Sequence, residues 1–267
     1  MSTIKKLVQL TGRRALITGG AGGLGRVFAE TLAELGADLY LIDRPSSGLI
    51  EFCEQVRKRW GVDVVGFECD LESAEERSGL IRNIRERNET LNILVNNAAF
   101  VGTSSLQGWS VVFEEQSLET WRRAFEVNLT AVFDLCQGLA PHLAKAEGAS
   151  IINVASIYGF LGPDWSLYEG TTMGNPAAYS ASKGGLLQFT RWLSTTLAPN
   201  VRVNSLSPGG ISRGQSEEFM SRYTSRTPLQ RMATEEDFRG AIAYLATDLS
   251  RYVTGHNLIV DGGWSAW

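Results

Sequence analysis

The chain has 267 residues, 43% of them hydrophobic and 20% charged, with a net charge of −4. That is the profile of a soluble globular protein with core enough for one large α/β domain or two small ones. The mild acidity and the lack of a basic stripe argue against a nucleic-acid footprint. No stretch reaches membrane-spanning length, and Met1 to Arg14 carries Lys5 and Lys6 without the apolar run of a signal peptide. A cytoplasmic protein with neither nucleic-acid nor membrane partner is therefore expected. Cys53, Cys69 and Cys136 form an odd set without paired or metal-type spacing, and read as buried free thiols. His142 and His256 lack metal-type partners, so both read as structural and no metal site is expected.

In chain order, Ala15–Thr18 reads as the first strand, followed by a glycine-rich turn and a helix over 24–35. Strand Leu39–Ile42, helix 47–60, strand Val62–Glu68, helix 73–88 and strand Ile93–Val95 come next. A long helix over 118–145 leads to strand Ser150–Val154, helix 178–197 and strand Val201–Asn204. Helix 235–247 and strand Asn257–Val260 close the chain. Short apolar runs alternating with helical patterns specify a parallel sheet with helices on both faces. No repeat or linker divides the chain. Two stretches break the rhythm, 100–116 and 159–176, and both belong above the carboxyl edge of the sheet, where open α/β folds bind ligands.

Thr18-Gly19-Gly20-Ala21-Gly22-Gly23-Leu24-Gly25 follows a strand and opens a helix. Its glycines permit a tight turn and close backbone approach, and a helix N-terminus can hold a pyrophosphate. Asp43, at the end of the second strand, can accept hydrogen bonds from both ribose hydroxyls of NAD and would repel the 2′-phosphate of NADP. Arg44 beside it could instead serve that phosphate, so NAD is favoured and NADP stays open.

Tyr179 and Lys183 stand four positions apart on one helix face. There an ammonium can stabilise phenolate and draw the tyrosine pKa down from about 10. A lone Tyr-x-x-x-Lys is a commonplace surface pair. Here it is preceded by the glycine turn, Asp43, Asn96-Asn97-Ala98-Ala99, Asn128 and Ser156, in that order.

This ordered set resembles the short-chain dehydrogenase/reductase family from about Gly12 to Val260-Asp261-Gly262-Gly263-Trp264. Thr18, Gly19, Gly23 and Gly25 match its Thr-Gly-x-x-x-Gly-x-Gly turn, with Leu24 inside it. Asp70, followed by Leu71, matches the aspartate that contacts adenine. Asn97, Ala98 and Ala99 match its Asn-Asn-Ala-Gly loop, with Ala99 replacing the glycine. Asn128, Ser156, Tyr179 and Lys183 match its catalytic positions, and Pro208-Gly209, with Ile211 close behind, matches the turn beside the nicotinamide. The resemblance implies a single-domain Rossmann fold over 1–267, a doubly wound seven-stranded parallel sheet in the order 3-2-1-4-5-6-7. It also implies a homotetramer built through two long helices and the last strand.

In the reaction so implied, Tyr179 exchanges the substrate hydroxyl proton and Lys183 lowers its pKa and holds the nicotinamide ribose. Ser156 stabilises the substrate oxygen, and Asn128 holds a water linking Lys183 to solvent. Ser156 and Tyr179 are farther apart in sequence than is usual for the family, which marks 159–176 as an insertion. Its Asp164, Trp165, Tyr168 and Glu169 could stack on and hydrogen-bond a sugar, or the segment could simply pack. Residues 212–232 resemble the substrate loop and carry Arg213, Arg222, Arg226 and Arg231, suited to an anionic substrate or to a solvated helix. Arg213 stands where the family often has threonine, and could meet a cofactor phosphate, an anionic substrate group or solvent. The expected function is interconversion of a secondary alcohol and a ketone with NAD(H), on a sugar, polyol or sugar derivative. Two alternatives stand beside it: an NADPH-dependent ketoacyl-thioester or steroid-type reductase, and a non-catalytic dinucleotide-binding regulator.

Overall fold

Continuous rather than alternating apolar runs require burial on both faces of a sheet. The computed structural model, which describes residues 2–87, 89–101 and 106–267, has that arrangement. A short helix α1 (Ile4–Val8) precedes β1 (Arg14–Thr18), α2 (Gly23–Glu34), β2 (Asp38–Asp43), α3 (Leu49–Trp60) and β3 (Val64–Glu68). Next come α4 (Ala74–Glu86), β4 (Ile93–Asn96), α5 (Leu118–Phe125), α6 (Ala131–Leu143) and β5 (Ala149–Val154). The chain ends with α7 (Ala177–Leu197), β6 (Val201–Pro208), α8 (Glu217–Arg226), α9 (Arg239–Ala246) and β7 (Asn257–Val260). The seven strands are all parallel and lie in the order β3-β2-β1-β4-β5-β6-β7. The direction of winding reverses between β1 and β4, which opens a crevice at their carboxyl ends.

Successive side chains of a strand point to opposite faces, so Ile17 and Leu16 enter different cores. Ile17, Leu39 and Val95 pack against Phe28 and Leu32 of α2, Phe52 of α3 and Ile242 of α9. Leu16, Leu94 and Ile151 pack against Leu80 of α4, Leu135 and Leu139 of α6 and Leu186 of α7. A buried polar ladder ties the middle of the sheet to α7. Asn96 donates to Asn153 Oδ1 (2.8 Å), and Asn153 donates to Thr190 Oγ1 (2.9 Å). Among the described residues no helix is long and apolar enough to cross a membrane.

Several expectations change. The single helix over 118–145 is divided by a π turn at Glu126–Thr130 between α5 and α6. Arg77, only 2% exposed, grips that turn, pairing with Glu126 (2.6 Å) and with Asp134 (2.9 Å) and donating to the Leu71 carbonyl (2.6 Å). The strand β6 runs beyond Asn204 to Pro208 because its polar residues find partners: Ser205 and Ser207 both donate to Asn257 Oδ1 of β7, at 3.0 and 2.8 Å. A 3-10 turn, Glu235–Phe238, occupies the start of the helix read over 235–247. Asn88, at the end of the helix read over 73–88, lies outside the described residues, as do Met1 and residues 102–105 of the 100–116 stretch.

The 159–176 segment does not stand alone. Its Leu167 joins Phe219 and Tyr223 of α8, Met232 and Trp264 in a satellite core, and Trp264 stacks on Tyr223 with ring centroids 4.4 Å apart. Asp164 pairs with Arg226, and Arg222 donates to the carbonyls of Leu167 (3.4 Å) and Glu169 (2.5 Å). The insertion and α8 thus form one packed unit at the carboxyl edge.

Candidate active site

The glycine turn is built by a contact no other residue permits. A Cβ on Gly25 would lie 1.9 Å from the Gly19 carbonyl oxygen. Thr18 Oγ1 accepts the N–H groups of Asn97 and Ala98, both at 3.0 Å, and Asn97 Nδ2 donates to the carbonyls of Thr18 (2.9 Å) and Gly19 (3.1 Å). The turn is thereby clipped to the Asn97–Ala99 loop. Helix α2 begins after Gly22 with no acidic residue in its first turn, so its free N–H groups and positive dipole end face the crevice. Asp43 Oδ2 accepts the Ala21 N–H (2.9 Å) and Oδ1 the Arg44 N–H (2.8 Å), which fixes the carboxylate at the rim of the turn. Asp70 Oδ1 accepts the Glu72 N–H at 2.9 Å.

At the other end of the crevice, Ser156 follows β5 and caps a 3-10 turn, its Oγ accepting the Tyr158 N–H at 3.2 Å. That turn rests directly on α7: a Cβ on Gly159 would lie 2.9 Å from the Lys183 carbonyl. This close approach seats Ser156 beside Tyr179, in the first turn of α7. Lys183, one turn on, is 2% exposed; its Nζ donates to the Val154 carbonyl at 2.6 Å and lies 5.8 Å from the Tyr179 ring centroid.

Asn128 sits in the π turn. Its Oδ1 accepts the Phe100 N–H at 2.7 Å, and its Nδ2 donates to Ser182 Oγ at 3.0 Å. Its side chain thus braces the Phe100 loop against α7.

The electrostatics also differ from expectation. Burial raises the Tyr179 phenol above its ordinary value of 10, with the Ser156 hydroxyl and the Arg213 charge pulling it back. Burial lowers the Lys183 ammonium to about 8. In the protein alone burial thus prevails over the lowering expected for Tyr179, and the Arg213 charge is among the groups that oppose it.

The two ends join in one cleft of about 740 Å³. Gly19, Gly23, Leu24, Asp43, Asp70, Leu71, Asn97, Ala98, Ala99, Ser156, Tyr179, Lys183, Pro208, Gly209 and Ile211 all line it. Thr18, Gly25 and Asn128 do not line it; their contacts hold the turn and the Phe100 loop in place. The inserted segment is corrected too. Asp164, Trp165, Tyr168 and Glu169 are absent from the wall, and Tyr168 instead shares a hydroxyl contact with Tyr158 (2.8 Å) and packs on Phe219.

Of the four arginines, only Arg213 reaches the cleft; Arg222 and Arg226 latch the insertion, and Arg231 pairs with Asp237 (2.6 Å). His142 and His256 are not in the wall either. Sequence reasoning missed Phe100, Val101, Leu106, Gln215 and the Arg123–Glu72 pair (2.7 Å). No local pattern marks them; the last joins residues 51 apart in sequence.

A family model described as Enoyl-(Acyl carrier protein) reductase matches residues 19–265. The 3-oxoacyl-[acyl-carrier-protein] reductase FabG of Aquifex aeolicus is 31% identical over 261 residues, covering 96% of this chain and 98% of its own. The chain is a short-chain dehydrogenase/reductase. This member of the family is also 31% identical to the protein named Probable galactose dehydrogenase GalD of Rhizobium meliloti, over 95% of each chain. Its fold superposes on a gluconate 5-dehydrogenase from Burkholderia cenocepacia in complex with NADP and tartrate with a TM-score of 0.85, at 27% identity and over 99% and 100% of the two chains. The short-chain dehydrogenase/reductase assignment makes this an NAD(P)-dependent oxidoreductase. The glycine cradle, the N-terminus of α2 and the Asp43 carboxylate along one cleft fit such a dinucleotide.

Proposed function

We propose that this dehydrogenase interconverts a secondary alcohol and a ketone at the Ser156–Tyr179 end of the cleft. The observation that carries the proposal is the convergence of Ser156, Tyr179 and Lys183 at one end of a cleft whose other end is the glycine turn. A bound nicotinamide dinucleotide supplies or accepts hydride. Tyr179 takes the hydroxyl proton in oxidation and returns it in reduction, while the Ser156 hydroxyl donates to the substrate oxygen. Lys183, held by Val154, sits one helical turn from Tyr179, close enough to stabilise phenolate as it forms. Asn128 keeps the Phe100 loop in register. A regulator without turnover has no need of this proton-transfer set.

Asp43 at the rim supports NAD, because a carboxylate there repels a 2′-phosphate. Arg44 and the NADP named for the Burkholderia structure support the NADP reading. The sugar and sugar-acid names of two relatives support a sugar, polyol or sugar derivative as substrate. Two observations favour the thioester or steroid alternative: Phe100, Val101 and Leu106 line the cleft with apolar side chains, and a 3-oxoacyl reductase is among the relatives.

Residues 212–232 serve as the substrate loop in this reading, and the protein works in the cytoplasm as a homotetramer. Phe133 and Trp192, 43% and 57% exposed, support the assembly by leaving an aromatic strip on the outer faces of α6 and α7.

The test is NADH and NADPH formation across sugars, polyols, sugar acids, hydroxysteroids and hydroxyacyl thioesters, with Tyr179→Phe as the blank. A Tyr179-dependent signal confined to sugar-type compounds is expected. A signal only with thioesters or steroids would replace the substrate class and keep the mechanism.

A further inference from the structure

We propose that Arg213 is the cation that binds the diphosphate of the dinucleotide, held over the first turn of α2 by Glu235. The proposal rests on the dinucleotide reading above and decides among the roles the sequence leaves open for Arg213.

Among the described residues four cationic side chains line the cleft, and three of them stand away from the first turn of α2. Arg123 spends Nε and Nη2 on Glu72, at 2.7 and 3.1 Å. Lys183 donates to Val154 at the opposite end (2.6 Å). Arg44 follows Asp43 at the rim of the turn, its backbone N–H donating to that carboxylate. Arg213 alone stands on the glycine turn: a Cβ on Gly23 would lie 3.0 Å from its Nη2 and 2.9 Å from Glu235 Oε1.

Its bonding leaves the useful donors over. Nε donates to Glu235 Oε1 (2.9 Å) and the backbone N–H to Gln215 Oε1 (2.7 Å), whereas neither Nη makes a hydrogen bond among the described residues. A guanidinium fixed through Nε presents its two Nη groups as a fork suited to phosphate oxygens.

The location is otherwise unfavourable for a cation. Helix α2 begins there, presenting its positive dipole end with no acidic residue in its first turn, so an arginine gains nothing from the helix itself. Glu235 offsets part of that repulsion from outside the cleft wall. An anion lying between the Nη fork and the N–H groups of α2 satisfies both at once, and a diphosphate has the charge and the oxygens for it. Arg213 also shares the cleft with Tyr179, whose phenol its charge pulls down.

The experiment uses the full chain and reads binding of ADP and of adenosine by calorimetry, in the wild type, Arg213→Ala and Arg213→Lys. Arg213→Ala is expected to weaken ADP binding by about 10- to 100-fold, the loss of one or two charge-assisted bonds, and to leave adenosine unchanged. It should also flatten the salt dependence of ADP binding, while Arg213→Lys keeps that dependence and recovers only part of the affinity. ADP affinity unchanged in Arg213→Ala would overturn the proposal. Equal loss for ADP and adenosine would overturn it as well, because the effect would not be on the diphosphate. Wild-type protein that bound neither ADP nor NADH would instead remove the dinucleotide reading on which the proposal rests.

Discussion

Lys183 ends its buried side chain on the carbonyl of Val154, 2.6 Å from Nζ, so the ammonium is fixed to the end of β5 rather than to the tyrosine beside it. Burial without a carboxylate partner lowers its pKa from 10.5 to about 8. Below pH 8 the folded protein bears the full burial cost, on the order of 3 kcal/mol. Between pH 8 and 10.5 the unfolded chain holds more protons than the folded one, so stability rises with pH across that window. Lys183→Met is expected to be more stable at pH 7 by about 2 kcal/mol, after the lost Val154 bond is counted, and to lack that rise. Denaturant melts at pH 7 and pH 10 check both; a less stable variant would contradict the burial cost.

Tyr179→Phe is expected to lower kcat by about 10³-fold while NADH binding stays within about twofold, because the hydroxyl transfers a proton and the ring merely packs. Turnover and fluorescence titration of the same preparation separate the two. Substantial activity in the variant would remove Tyr179 from the proton path.

Asp43→Ser removes the carboxylate at the rim of the glycine turn and leaves Arg44 in place. The ratio of kcat/KM for NADP over NAD is expected to rise by about 100-fold, several kcal/mol of like-charge repulsion being relieved. An unchanged ratio would mean that Asp43 does no more than brace Ala21.

Arg77→Met breaks a buried network in which one guanidinium serves Glu126, Asp134 and the Leu71 carbonyl. Two carboxylates and a carbonyl lose their donor, so a loss of about 3–5 kcal/mol is expected in chemical denaturation. The π turn is held from the same guanidinium, and KM for the dinucleotide should rise with the displacement of Leu71.

The aromatic strip of Phe133, Phe189 and Trp192 (Phe133–Phe189 centroids 6.0 Å, Phe189–Trp192 6.3 Å) is the test bed for assembly. Size exclusion with light scattering is expected to give a tetramer for the wild type and a smaller species for the double substitution Phe133→Glu, Trp192→Glu. A wild-type monomer would reject the assembly outright.

The sequence by itself determined the sheet and the ordered landmarks of the cleft. Buried parallel strands are written as unbroken apolar runs, and the glycines at 19 and 25 are dictated by a backbone contact, so both are legible locally. What it could not show were relations between distant segments. The π turn at Asn128 depends on Arg77 from another helix, and the insertion packs because Phe219, Tyr223 and Trp264 reach it from later in the chain. The bracing contacts of Asn128, the place of Arg213 over α2, and the raised pKa of Tyr179 likewise emerge only once burial and neighbours are set. Period and composition record which way a side chain must face; tertiary packing alone decides what stands opposite it, and desolvation then sets its charge.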